Sequence, residues 1–161
     1  MNKNTRFCVR AALIAAVYAI LTILWPLSFG PVQVRVAEAL CVLPILAPAA
    51  VPGLFLGCLL SGILSGSVWI DVIVGSLTTL VSAMLTRKLA CRGKILRLLP
   101  PVVLNALFTG TVVHFCYSGN PALALWPVTV LTVGAGEAVS VLLLGSGLLT
   151  LLMRLPADTW R

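Results

Sequence analysis

Two carboxylates of this chain occur within apolar sequence, where a charged side chain is expensive to hold. The chain has four acidic residues. Glu137 lies in the apolar run 133–139, and Glu38 ends a polar insertion, 32–38, in an otherwise hydrophobic region. An ionisable group at the centre of a bilayer costs roughly 2.5–3.5 kcal/mol on insertion scales and usually faces a cavity or a partner. Glu137 is therefore the first candidate for a functional residue.

The polar insertion before residue 40 supplies further candidates. Gln33 and Arg35 alternate with valines, so both point to one face of an extended segment. Glu38 follows where a second helix begins, and the positive end of the helix dipole favours a carboxylate there. Two interpretations of Arg35 and Glu38 stay open. They either form an ion pair that fixes this loop or contact a ligand directly.

The remaining polar side chains fall into two predicted layers. The layer toward the outer ends of the helices contains Gln33, Arg35, Glu38, Trp69, Asp71 and His114. Asn105 and Glu137 lie deeper, and together the two layers predict one cavity that opens outward. Asp71 is either a ligand or a helix-end carboxylate. His114 is more typical of a packed or interfacial histidine.

Catalytic and metal-binding motifs do not occur in this sequence. It contains no G-x-x-x-x-G-K-[ST] loop, no H-E-x-x-H and no Gly-x-Ser-x-Gly elbow. The single histidine excludes a two-histidine metal site, and the five cysteines are scattered without a C-x-x-C pair. We therefore expect no enzyme activity, cofactor or metal. Uphill transport would need an ion gradient or a partner.

Composition indicates the surroundings in which these groups must work. Hydrophobic residues make up 60% of the chain and charged residues 9%, which excludes an ordinary soluble domain. The net charge of +7 resembles that of a nucleic-acid binder. However, ten of the eleven basic residues lie in three clusters, at 3–10, 87–97 and 154–161. This is the positive-inside pattern, so we expect both termini and the basic loop 87–97 in the cytoplasm and no nucleic-acid partner.

The apolar segments predict a single all-α integral membrane domain over 1–161 with six helices. Their predicted bounds are about 7–27, 36–49, 52–65, 69–89, 98–117 and 123–153. The first is kept as a helix and not as a signal peptide, since no clear cleavage site follows it. The second and third reach only about 21 Å each at 1.5 Å per residue. They are either short spans or a hairpin that enters and leaves from the outer face.

A stripe of small residues runs along the first helix. Ala11, Ala15 and Ala19 recur every four residues, which lets another helix approach closely. The stripe serves either internal packing or docking of a separate membrane subunit, and the sequence alone leaves both open.

Five motifs together resemble one family. The most specific is 33–40, Gln-Val-Arg-Val-Ala-Glu-Ala-Leu, followed by 52–58, Pro-Gly-Leu-Phe-Leu-Gly-Cys. The stretches 71–80, 100–106 and 133–139 follow in the same order. The chain thereby resembles the QueT family, substrate-binding (S) components of energy-coupling-factor transporters associated with queuosine precursors.

The resemblance implies a compact six-helix S component in a bacterial cell membrane, without its own ATPase. Such subunits capture a micronutrient outside the cell, associate with a transmembrane coupling protein and two ATPases, and are thought to topple in the membrane to release it. The loop 28–36 would gate the pocket, which places Gln33 and Arg35 over the ligand. The alanine face of the first helix would meet the coupling protein.

A 7-deazaguanine such as preQ1 or queuine fits these residue types. Its adjacent N–H donors suit bidentate acceptance by a carboxylate, from Glu137 or Glu38. Asn105 or Gln33 would meet the carbonyl oxygen, Trp69 or Tyr117 would stack on the ring, and Asp71 would take an aminomethyl group. The alternatives are an S component for a different vitamin and a stand-alone transporter driven by a gradient.

Overall fold

The computed structural model describes residues 2–25, 34–118 and 122–155, and its regular elements there are all helical. We number six helices in chain order: α1 (Lys3–Leu24), α2 (Val36–Ile45), α3 (Ala50–Leu64), α4 (Trp69–Lys88), α5 (Leu99–Tyr117) and α6 (Leu123–Leu152). The all-α bundle predicted from the sequence is confirmed. Gln33 and most of the predicted gating loop 28–36 lie outside the described residues.

Four of these helices, α1, α4, α5 and α6, are long and apolar enough to cross a membrane. Many of their large apolar side chains point outward, as lipid-facing residues must, among them Leu13, Ile73 and Leu131. Inside lipid, a helix satisfies its own backbone hydrogen bonds, which explains why the spanning elements are helices. The chain is therefore a multi-pass membrane protein.

The two short helices extend between the ends of the bundle. The Arg87 guanidinium, near the end of α4, donates a hydrogen bond to the Pro44 carbonyl oxygen near the end of α2 at 3.2 Å. The turn between α2 and α3 thus lies at the end of the bundle that carries Arg6, Arg10 and Arg87, which we call the basic end. From there α3 returns to the opposite end, where α4 begins. The position of this turn favours two short segments that reach the basic end over a hairpin that stays near the opposite face.

The alanine stripe packs inside the chain. Ala11, Ala15 and Ala19 are all buried against neighbouring helices. A Cβ added at Gly53 would lie 2.8 Å from the Ala11 carbonyl oxygen, and one at Gly57 would lie 2.9 Å from that of Ala15. The two backbones approach this closely because both facing surfaces carry small residues.

This packing supports the internal role of Ala11, Ala15 and Ala19, and their docking to a coupling protein stays a prediction. Helix α3 approaches α1 closely at Ala11 and Ala15, and all three alanines are buried. The exposed face of α1 carries Leu13 and Val17 instead.

Three helical segments depart from α geometry near the deeper polar residues. All ten residues of α2 form a 3₁₀ helix, although such runs rarely exceed three or four residues. A π-helical turn, Asn105–Thr109, interrupts α5, and another, Val139–Gly145, interrupts α6 just after Glu137. Such turns redirect side chains and concentrate at functional sites. They therefore mark the region around Asn105 and Glu137.

Candidate functional site

Glu137 lies in the interior of the bundle, on α6. It is 3% exposed, and its Oε1 accepts a hydrogen bond from Asn105 Nδ2 of α5 at 2.6 Å. Asn105 Oδ1 in turn lies 3.5 Å from the Thr109 hydroxyl, one helical turn further along α5. An amide donor at this distance both orients the carboxyl group and offsets part of the cost of burying it.

Glu38 is even more deeply buried, at 1% exposure, in the first turn of α2. Its Oε1 accepts a hydrogen bond from the Tyr18 hydroxyl of α1. Its Oε2 accepts one from the Cys41 thiol, with 2.8 Å between the oxygen and the sulfur. A 3₁₀ helix has three residues per turn, so residues i and i+3 align along it. The winding of α2 thus brings Cys41 beneath Glu38.

The Glu137 carboxyl group lies close enough to that of Glu38 for the two to interact electrostatically. A chain of polar side chains therefore crosses the bundle and joins α5, α6, α2 and α1. In order, it contains Thr109, Asn105, Glu137, Glu38 and Tyr18. Two ionised carboxylates this close repel strongly where the dielectric is low. The pair requires a shared proton or a ligand that brings donors between them.

A small polar pocket lies beside this chain. Arg35, just before α2, is half-buried and within electrostatic range of Tyr18, Glu38 and Asp71. The pocket has a volume of about 20 Å³, which is room for about one water. Its lining consists of Thr22, Arg35, Cys58, Ser61, Gly62, Ser67, Asp71, Val72 and Gly75. The one cation of this lining thus sits close to the buried carboxyls.

Asp71 connects this pocket with the end of the bundle opposite the basic end. Its Oδ2 accepts a hydrogen bond from the Tyr117 hydroxyl at 2.9 Å, and the Tyr117 oxygen accepts one from the Val68 backbone N–H at 3.1 Å. Asp71 therefore holds α4 to the end of α5 while it also lines the pocket. Asp71 is thus both a carboxylate at the end of a helix and a residue that lines the pocket.

Two expectations from the sequence need correction. Trp69 is 71% exposed on the outside of the first turn of α4, so it cannot stack on a ligand inside the bundle. The inward face of α4 is taken by small and polar residues such as Ser76 and Thr79. The sequence predicts Glu38 nearer the outer end than Glu137, but Glu38 is equally buried and its carboxyl group lies close to that of Glu137. The 3₁₀ winding of α2 turns Glu38 inward.

His114 belongs to the packing of the bundle. It is 1% exposed, and its Nδ1 lies 3.1 Å from the Thr129 hydroxyl on α6. Its ring meets that of Phe115 edge to face, with 5.0 Å between centroids. The histidine thus serves the contact between α5 and α6, in keeping with the packed role that its type favours.

Tyr18 and Cys41 are site residues that the sequence analysis missed. Tyr18 carries the one phenol in a helix that is otherwise largely aliphatic, and it falls on the same face as Ala11 and Ala15. That combination was a usable signal. Cys41 gave none, because a cysteine among apolar residues normally behaves as a small hydrophobe. Its relation to Glu38 appears only in the structure, where the thiol donates to the carboxylate.

This arrangement is suited to recognition by hydrogen bonding. It concentrates carboxyl and amide groups in a setting from which water is largely excluded. In such a setting each hydrogen bond is strong, and each donor or acceptor without a partner is costly. Among the described residues, no group of three or more His, Cys, Asp or Glu could hold a metal ion. Carboxyl and amide oxygens in such a setting are acceptors suited to a molecule that presents several N–H donors.

Comparison with known proteins agrees with the architecture. A family model described as QueT transporter matches residues 8–154. The curated protein "Queuosine precursor transporter QueT" of Lactococcus lactis subsp. cremoris (strain MG1363) is 42% identical over 85 residues, which cover 50% of this chain and 50% of the relative. The match thus spans about half the length of that relative. No solved structure matches the chain. Because the family model covers most of the sequence, the chain belongs to the QueT transporter family.

Proposed function

We propose that this chain is the substrate-binding subunit of an energy-coupling-factor importer in a bacterial plasma membrane and that it captures a queuosine precursor. The observation that carries the proposal is the buried pair Glu38 and Glu137, held by Tyr18 and Asn105. The name of the Lactococcus relative supports the substrate class. The ligand would be a 7-deazaguanine such as preQ1 or queuine.

The buried pair fits the amino-pyrimidine edge of a 7-deazaguanine. That edge presents adjacent N–H donors, which a carboxylate accepts in a bidentate way. With the ligand between them, Glu137 and Glu38 would exchange their mutual repulsion for charge-assisted hydrogen bonds. The second N–H of the Asn105 amide is the donor for the carbonyl oxygen of the base. Gln33, outside the described residues, is the other candidate.

The polar pocket supplies the route and the remaining contact. The Asp71 carboxylate would bind the cationic aminomethyl substituent. Because this carboxylate is half-buried, its charge-assisted hydrogen bond to a cation would be strong. Ligand sites usually enclose about 300–1,000 Å³. The pocket of about 20 Å³ must therefore widen around Arg35 and Asp71 to admit a base. This predicts that ligand binding rearranges the end opposite the basic end.

The distribution of basic residues indicates which end of the bundle faces outward. The positive-inside rule places the basic end in the cytoplasm, so Asp71 and Tyr117 face outward and substrate enters from outside. The sequence has no phosphate-binding loop, and energy would come from a coupling protein and two ATPases. Uptake into vesicles tests this: accumulation should require the ATPase module and ATP.

Thermal stabilisation of the purified chain tests the ligand, because a molecule that binds only the folded state must stabilise it. We expect preQ1, queuine and unsubstituted 7-deazaguanine to raise the unfolding midpoint. Glu137→Gln should weaken binding of all three by about 10–100-fold, the worth of a charge-assisted hydrogen bond. Asp71→Asn is the matched control: it should weaken the amine-bearing ligands and spare unsubstituted 7-deazaguanine. Unchanged affinity in Glu137→Gln would remove the pair from the site.

A gradient-driven transporter is the second candidate, and the facing carboxyl groups favour it specifically. Such a pair can carry a proton between its two sides, as buried acidic groups in membrane transporters do. Uptake by this chain alone, driven by a proton gradient and abolished in Glu137→Gln, would support this alternative. Uptake that needs ATP and the partner module would eliminate it.

A further inference from the structure

A second cavity lies at the basic end, away from the buried carboxyl groups. Its volume is about 580 Å³, which is in the range of ligand pockets. The first turns of α1, the turn between α2 and α3, and the end of α4 enclose it. The lining consists of Lys3, Arg6, Phe7, Arg10, Leu46, Ala47, Pro48, Ala49 and Arg87. We call it the basic pocket.

Four cations line the basic pocket, and one of them, Arg87, is anchored by a hydrogen bond. Lys3, Arg6 and Arg10 recur at intervals of three and four, so they share one face of α1. Arg87 is anchored across the pocket by its hydrogen bond to the Pro44 carbonyl oxygen. Like charges gathered in this way repel one another unless an anion lies among them.

No acidic residue that the structure describes lines this pocket. The described acids are Glu38, Asp71 and Glu137, and all three belong to the candidate substrate site. The basic pocket therefore calls for an anion from outside the described chain. Its other wall is apolar, from Phe7 and the turn at 46–49. The occupant that fits both walls is an anion joined to a hydrocarbon.

We propose that the basic pocket binds the headgroup of an anionic phospholipid. The phosphate would lie among Arg6, Arg10 and Arg87, and the start of the acyl chains would contact Phe7 and Leu46. Basic pockets between transmembrane helices on the cytoplasmic side have the chemistry for such headgroups. The positive-inside rule places this end at the inner leaflet, where the lipid is at hand.

The bound lipid would stabilise the element that carries Glu38. The turn at 46–49 is continuous with α2, and α2 holds Glu38 and Cys41. An occupant that joins α1 and α4 to this turn fixes the basic end of α2. Anionic lipid should therefore raise the unfolding midpoint of the chain, whether or not a substrate is present.

The test compares two variants with the same loss of charge. Lys3→Gln with Arg6→Gln removes two exposed cations from the basic pocket, at positions where no helix packing is lost. Arg92→Gln with Lys94→Gln removes two exposed cations from the basic loop, outside the pocket. Each protein is reconstituted with phosphatidylglycerol or phosphatidylcholine. Retained lipid is counted by native mass spectrometry, and the unfolding midpoint is measured.

We expect the unaltered chain and the loop variant to retain phosphatidylglycerol in preference to phosphatidylcholine and to gain stability from it. The pocket variant should bind phosphatidylglycerol at least about tenfold more weakly, since each basic residue contributes to attraction by an anionic lipid. Equal losses in the two variants would show general surface attraction and overturn the proposal. Full stabilisation by inorganic phosphate alone would also overturn it, because the site would then serve a soluble anion. Arg87→Gln, measured separately, should match the pocket variant.

Discussion

The chain contains two hydrogen bonds of the same chemical kind in very different surroundings. The Tyr18 hydroxyl donates to Glu38 in the interior, where both residues are 1% exposed. The Tyr117 hydroxyl donates to Asp71 at the end opposite the basic end, where Tyr117 is 48% exposed. In the interior, no water can replace a lost donor, whereas at the outer end it can. Under the proposed function, the inner pair matters for folding and specificity, and the outer pair mainly for the shape of the entrance.

The two pairs also differ in what they connect. The inner pair belongs to a polar chain through α1, α2, α6 and α5, and ends at Thr109. The outer pair joins α4 to the end of α5 and includes the Val68 backbone. A change in the inner region should therefore spread to several helices, while one in the outer region should stay local.

The largest effect is expected when the inner chain loses its amide donor. Asn105→Leu keeps approximately the same size but leaves Glu137 Oε1 without the hydrogen bond of 2.6 Å. An unsatisfied buried acceptor costs about 1–3 kcal/mol, and more when it is charged, so we expect about 2–3 kcal/mol of destabilisation. Thermal unfolding in detergent measures it. An unaltered unfolding midpoint would show that Glu137 is hydrated in the interior, as the Asp71 carboxylate is at the outer end.

Helix approach offers a second comparison of the two regions. At Gly57, an added Cβ would lie 2.7 Å from the Cβ of Tyr18 and would push apart α1 and α3. At Gly75, which lines the small polar pocket, an added Cβ would make only ordinary contacts, and the nearest atom would be Asp71 Oδ1 at 3.9 Å. Gly57→Ala should destabilise by about 1–3 kcal/mol through overpacking. Gly75→Ala should be neutral or stabilise by up to about 1 kcal/mol through helix propensity. Equal midpoints would contradict the close packing around Tyr18.

The matched tyrosines give the most direct comparison. Tyr18→Phe and Tyr117→Phe each remove one hydroxyl that donates to a carboxylate. We expect about 1–2 kcal/mol of destabilisation for Tyr18→Phe, where Glu38 loses a donor in the interior. For Tyr117→Phe we expect less than about 0.5 kcal/mol, because water takes over. Chemical unfolding of both variants measures the difference. A larger effect at Tyr117 would reverse the roles assigned to the regions.

Much of the architecture could be predicted from the sequence, because a bilayer imposes simple rules on length and polarity. Four apolar helices are long enough to span a hydrocarbon core of about 30 Å, and the basic clusters mark one end. The short pair could not be resolved, because ten residues reach further in a 3₁₀ helix than in an α-helix and hydropathy does not report the winding. The use of Ala11 and Ala15 could not be decided either, since small residues suit an internal and an external partner equally.

The candidate site could be predicted only in part. Glu137 and Asn105 stood out because a polar side chain in an apolar run is costly in a membrane. The position of Glu38 beside Glu137 could not be foreseen, because 99 residues separate them and the packing of α2 against α6 decides it. Trp69 was misplaced, since a tryptophan near a helix end suits an inner site and a lipid interface equally well.

A small effect is expected from the interaction between the two inner carboxyl groups, and a double-mutant cycle isolates it. Either Glu38→Gln or Glu137→Gln alone removes the repulsion between the two carboxyl groups and supplies an amide donor between them. Without ligand, each single variant should therefore be at least as stable as the original chain. In the double variant the relief of this repulsion counts only once. The coupling energy should therefore be about 0.5–1 kcal/mol, as for groups in contact. A cycle of Glu137→Gln with Asp71→Asn is the control, and should be additive within about 0.5 kcal/mol. Additive effects of Glu38→Gln and Glu137→Gln would mean that the two carboxyl groups do not interact. The inner region would then differ from the outer region in burial alone.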